Sequence, residues 1–124
     1  MLLTVDCGNT NIVFALYDGN KQLANWRIST DSKRSGDEYF VWLTQLMMLK
    51  KIDISAVTDV IIACVVPEVQ PKLVNFAFRG FQLTPMIVGE PNVHLGIEIR
   101  IDRPEQAGAD RLVNAVAEIG RAHV

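Results

Sequence analysis

The chain opens with three short apolar stretches separated by turn chemistry. Residues 2–6 form an apolar run that ends in an acid, Asp6. Cys7-Gly8-Asn9-Thr10 has the composition of a turn. Residues 11–17 are again apolar and β-branched, and Asp18-Gly19 is a strong hairpin signal. Over residues 21–30, Leu23, Trp26 and Ile28 stand among polar neighbours, a rough alternation. This pattern predicts three antiparallel strands.

A polar stretch over 31–36 ends in Ser35-Gly36-Asp37-Glu38, which matches a capping box with Ser35 as N-cap. The helix it opens is expected over 39–51, with Phe40, Leu43, Met47 and Ile52 inward and Lys50 and Lys51 at its negative end. Residues 59–66 are continuously apolar after Asp59, as in a strand buried on both faces. A helix is expected to start at Pro67, where a missing N–H costs little, and to reach Phe78 or Arg79. Gly80 would stop it, and Pro71 would fall in its first turn or two. Residues 86–88 suggest a short buried strand closed by Gly89, and 97–101 alternate like an edge strand. A last helix is expected over 108–119, with Gly120 as its stop. The order β-β-β-α-β-α-β-(β)-α describes an α/β fold, a mixed sheet with helices on its faces.

Composition narrows the function classes. With 124 residues and 49% hydrophobic side chains, the chain can bury a core as one domain over 1–124. A net charge of −2 gives no basic footprint for nucleic acid. Its two cysteines, Cys7 and Cys64, lie at or in apolar strand-like runs without ligand spacing. They read as buried free thiols in a reducing compartment. No leader and no membrane-spanning run is recognisable, so a cytoplasmic location is expected. His94 and His123 have no partner acid at a recognisable spacing and are assigned to no site.

Two segments carry candidate chemistry. In Asp6-Cys7-Gly8-Asn9-Thr10-Asn11, Gly8 lets the backbone approach an anion, and successive N–H groups can form a nest for phosphate. Thr10 and Asn11 add side-chain donors, and Asp6 can hold Mg2+ through water. An ordinary hairpin turn rich in Asn and Gly has the same composition. In Gly108-Ala109-Asp110-Arg111, the helix start favours an ionised Asp110, which can accept a proton from an alcohol. Arg111 can take a carboxylate or phosphate by paired hydrogen bonds. A capping acid beside a surface arginine is the plainer alternative. Val65-Val66-Pro67-Glu68, at the end of the buried strand, is mainly architectural.

Taken together, three segments resemble type III pantothenate kinases. The stretch from Leu3 to Asn11 is similar to the family's phosphate motif, Asp-x-Gly-Asn-Thr-Asn. Ala63-Cys64-Val65-Val66-Pro67 is similar to its central strand ending in Val-Val-Pro, and the stretch from Pro104 to Ala115 to its Pro-x-x-x-Gly-x-Asp-Arg segment. Three motifs in the right order are far more specific than any one of them.

The resemblance implies a fold of the acetate-kinase, sugar-kinase, heat-shock and actin type, built from two ribonuclease-H-like domains, of which this chain would be the first. It implies ATP-dependent phosphorylation of pantothenate, the first step of coenzyme A biosynthesis. Asp6 would act near Mg2+, and Gly8, Asn9, Thr10 and Asn11 near the ATP phosphates. Asp110 would be the general base, and Gly108, Ala109 and Arg111 would hold pantothenate. A monovalent cation (K+ or NH4+) and a homodimer are implied as well. The second domain, with its own phosphate loop, is expected to be absent from this chain, which would then turn over little alone. Two positions depart from the family: Ile101 and Arg103 stand where a Tyr and an Asn are usual. A non-catalytic regulatory relative of the transcription-accessory kind, or a kinase of the same superfold for another small molecule, are the competing readings.

Overall fold

A computed structural model describes residues 1–88. Their centre is a mixed sheet of β1 (Leu2–Cys7), β2 (Asn11–Asp18), β3 (Lys21–Ser29), β4 (Asp59–Cys64) and β5 (Met86–Ile87), in the order β3-β2-β1-β4-β5. β1 pairs antiparallel with β2 and parallel with β4, so the hairpin strands lie on one side and the crossover strands on the other. The β2–β3 loop is Gly19-Asn20, with φ +62° at Gly19, a conformation glycine adopts without strain. A bulge opposite Leu16 and Tyr17 alters the alternation in β3. Leu23 is consequently exposed and Ala24 is buried.

Helices cover one face. α1 (Gly36–Leu49) starts at the expected capping box: Ser35 Oγ accepts from Glu38 N, and Glu38 Oε1 accepts from Ser35 N. Its end is also well satisfied. Ile52 N donates to Met47 O and Lys51 N to Met48 O, with Lys51 left-handed at φ 59°. Tyr39, Leu43 and Met47 are its buried stripe, whereas the expected Phe40 and Ile52 pack at the margin of the core. α2 (Gln70–Asn75) continues into a wide π-helical turn over Phe76–Phe81. Leu3, Val5 and Cys7 of β1, Ile12, Phe14 and Leu16 of β2, and Val60 and Ile62 of β4 meet these helices. Phe14 sits at the centre, with Trp42 at 5.3 Å and Phe76 at 5.5 Å, both edge-on. Leu2, Ile61 and Ala63 belong to a smaller cluster on the other face.

Three expectations need correction. The second helix does not start at Pro67. A helix beginning there would need an N–H from Pro71 for the carbonyl of Pro67, and Pro71 has none. Residues 66–69 instead form a turn closed by Val69 N to Val66 O, and Pro71 falls in the first turn of α2. Gly80 does not end the helical segment; the left-handed terminator is Gln82, at φ 58°. A Cβ on Gly80 would lie 2.1 Å from the Phe40 ring, so glycine serves close packing there. β4 stops at Cys64, two residues early, and Val65 is exposed. A 3-10 turn at Ile54–Ala56 adds an element that the apolar pattern does not reveal. The expected edge strand and last helix lie outside the described residues.

Gly36 shows how tightly α1 meets α2. A Cβ there would fall 2.7 Å from both Lys72 O and Phe76 N, which are backbone atoms and cannot swing aside. Helix propensity favours alanine by about 1 kcal/mol, but overpacking costs about 1–3 kcal/mol. The clash is therefore expected to win, and Gly36→Ala lowers the denaturant midpoint.

Candidate active site

Asp6 is the next-to-last residue of β1, in register with Val13 on one side and Ala63 on the other. Leu3, Val5 and Cys7 face the helices, so alternation turns Asp6 to the opposite face. Its carboxylate is half-buried and has no hydrogen-bond or ion-pair partner among the described residues. Burial pushes its pKa above the ordinary carboxylate range.

The turn after β1 is closed by Gly8 N donating to Asn11 O at 2.9 Å. Asn9 and Thr10 at its tip are exposed. Thr30, just beyond β3, holds the turn from the side. Its N–H donates to Thr10 O at 2.9 Å and its hydroxyl to Gly8 O at 2.7 Å. Gly8 has no positive φ, and a Cβ there would meet only Asn11 O, at an ordinary 3.5 Å. Among the described residues, neither conformation nor crowding demands a glycine at this position.

The turn stands at the carboxyl ends of the parallel strands β1 and β4, the edge where open α/β sheets bind ligands. α1 and α2 follow strands that end at this edge. Cys7 and Cys64 are in-register neighbours on β1 and β4; both are free thiols, Cys7 buried and Cys64 partly exposed. Cys7 Sγ donates to Gly8 O at 3.8 Å and Cys64 Sγ to Val66 O at 3.2 Å. The adjacent Cys7 thiol lowers the pKa of Cys64 against its burial, while the Cys64 thiol, and then burial, pushes that of Cys7 up.

A cleft of about 240 Å³ beside the start of α1 is lined by Lys33, Lys72 and Arg79. Two of these cations are already engaged. Lys72 Nζ donates to Ser32 O, and Arg79 pairs with Asp37 at 3.5 Å, both side chains being exposed. Such an exposed pair contributes little.

The structure thus brings Asp6, Gly8, Asn9, Thr10 and Asn11 together at one sheet edge. Gly108, Ala109, Asp110 and Arg111 lie outside the described residues, as do Ile101 and Arg103. Sequence reasoning missed Thr30, because only the β2–β3 register places it against the turn. The Cys7–Cys64 pairing was likewise invisible before the parallel register of β1 and β4 was known. Among the described residues no group of three metal-ligating side chains occurs, and no helix is long and apolar enough to cross a membrane.

An α/β domain with a mixed sheet, its central strand running through an acid into a glycine turn, is the class of protein this architecture defines. The type III pantothenate kinase family model matches residues 2–123. Among curated proteins, the chain is 53% identical over 116 residues to the type III pantothenate kinase of Maricaulis maris (strain MCS10), covering 94% of this chain and 45% of that protein. It is 48% identical over 119 residues to that of Rhodospirillum centenum (strain ATCC 51521 / SW), covering 96% and 46%. For Paramagnetospirillum magneticum (strain ATCC 700264 / AMB-1) the identity is 51% over 117 residues, covering 94% and 45%. The chain belongs to the type III pantothenate kinase family. It spans a little under half the length of the relatives it matches.

Proposed function

We propose that the protein works in ATP-dependent phosphorylation of pantothenate, with the turn after β1 as its phosphate site. The observation that carries this reading is Asp6: a half-buried carboxylate without a partner among the described residues, beside a glycine that the fold does not itself require. Leaving a charge so placed is costly unless a cation or ligand meets it. A single carboxylate fits Mg2+, which keeps most of its water and takes its remaining ligands from phosphates. Bound Mg2+ would neutralise charge on the transferring phosphoryl group.

In this reading Asp6 orients the hydrated metal. Asn9, Thr10 and Asn11 face the ATP phosphates with backbone and side-chain donors, and Gly8, whose own N–H closes the turn on Asn11 O, keeps their approach clear. Asp110 accepts the hydroxyl proton of pantothenate, while Gly108, Ala109 and Arg111 hold that substrate. Family membership supports a ribonuclease-H-like domain paired with a second one, a homodimer, a monovalent cation (K+ or NH4+) and a cytoplasmic setting for the whole protein. The test is product analysis with full-length protein, ATP, Mg2+ and K+. The expected result is pantothenate gaining one phosphoryl group as ADP appears. ADP release with another alcohol and none with pantothenate would overturn the substrate assignment.

A further inference from the structure

We infer that Thr30 is a positioning residue for nucleotide phosphate, acting through the backbone of the turn after β1; this rests on the phosphate-site reading above. One residue holds two carbonyls of the turn: its hydroxyl donates to Gly8 O at 2.7 Å and its N–H to Thr10 O at 2.9 Å. A trans peptide is planar, so each carbonyl and the N–H that follows it point in opposite directions. With the Gly8 and Thr10 carbonyls turned toward Thr30, the amides of Asn9 and Asn11 turn away from it. Both are thereby aimed to the side of the turn that β3 does not occupy. Two neighbouring amides turned to one side can serve as elements of an anion nest.

Thr30 is itself held firmly. On one side, Arg34 Nη1 donates to Ser29 O at 2.7 Å. On the other, the fully buried Tyr39 donates through its hydroxyl to Asp31 O at 3.4 Å. The post that sets the turn is thus tied to α1 and the core. Asn9 and Thr10 are exposed, and Gly8 gives the backbone no steric restraint of its own. The hydroxyl of Thr30 supplies a close side-chain contact at 2.7 Å, whereas the Cys7 thiol reaches the same Gly8 carbonyl only at 3.8 Å. Fixing donors before the ligand arrives avoids reorganisation on binding.

The test compares T30V and T30S in full-length protein. T30V keeps the β-branch and the backbone N–H but loses the hydroxyl, whereas T30S keeps the hydroxyl. T30V is expected to weaken MgATP binding about 10- to 100-fold, the scale of small misplacements in a site. The KM for pantothenate should stay within about twofold, and T30S should restore MgATP affinity. An unchanged MgATP affinity in T30V, or a T30S variant as impaired as T30V, overturns the inference. If T30V unfolds, T30A removes the same hydroxyl and is read the same way. Pantothenate phosphorylation by the unaltered protein is scored separately. MgATP binding that depends on Thr30, without pantothenate turnover, would retain Thr30's role while refuting the substrate. Absence of MgATP binding to the unaltered protein would refute both.

Discussion

Replacing Asp6 by Asn in the full-length protein is expected to lower ATP-dependent turnover about 10²–10³-fold, the scale on which removal of one preorganised electrostatic group acts. The same substitution is expected to leave the nucleotide-free protein at least as stable at neutral pH. Asp6 is half-buried without a partner among the described residues, and burial raises its pKa from the ordinary 3.8. A raised carboxylate binds its proton more tightly in the folded state. Its contribution to stability is therefore full below the ordinary value and is lost as pH rises through the folded one. Asn is isosteric and uncharged, so that loss disappears. Melting curves without nucleotide from pH 4 to 8 check the stability half, and initial rates at saturating pantothenate check the catalytic half. A variant that keeps full turnover and its Mg2+ dependence would remove Asp6 from the site.

Asp110→Asn is the second large effect. A general base contributes about 10²–10⁴-fold to proton transfer, and an amide cannot accept the alcohol proton. Turnover is expected to fall on that scale while MgATP affinity holds, because the phosphates are assigned to the other end of the chain. The two variants should therefore separate: Asp6→Asn moves the Mg2+ dependence, and Asp110→Asn moves kcat alone. Full activity in the Asn variant would sink the assignment of the base.

Much of the fold could be read from local pattern. The three opening strands, the capping box at Ser35 and the buried run of β4 each express a short-range rule. They appear in the structure within one or two residues. Apart from the spacing of two prolines, what escaped depends on contacts outside the local pattern. Pro67 and Pro71 both resemble helix starters, and only the demand for an N–H at Pro71 decides between them. Gly80 has the look of a stop signal, but its lack of a Cβ is used by the Phe40 ring instead. Leu23 fits an alternation in the sequence that a bulge breaks in the structure. Within the candidate site, Asp6 and the turn are legible because strand end, acid and glycine are contiguous. Thr30 was not, since 22 residues separate it from Gly8 and sheet register alone brings them together.

In the proposed site the turn after β1 receives the phosphates of ATP. Amide NMR of the full-length protein, titrated with a non-hydrolysable ATP analogue with and without Mg2+, reads this contact residue by residue. Mg2+-dependent shifts are expected at the amides of Gly8, Asn9, Thr10 and Asn11, and are expected to be lost in Asp6→Asn. Saturable nucleotide binding that leaves those four amides unmoved would contradict it.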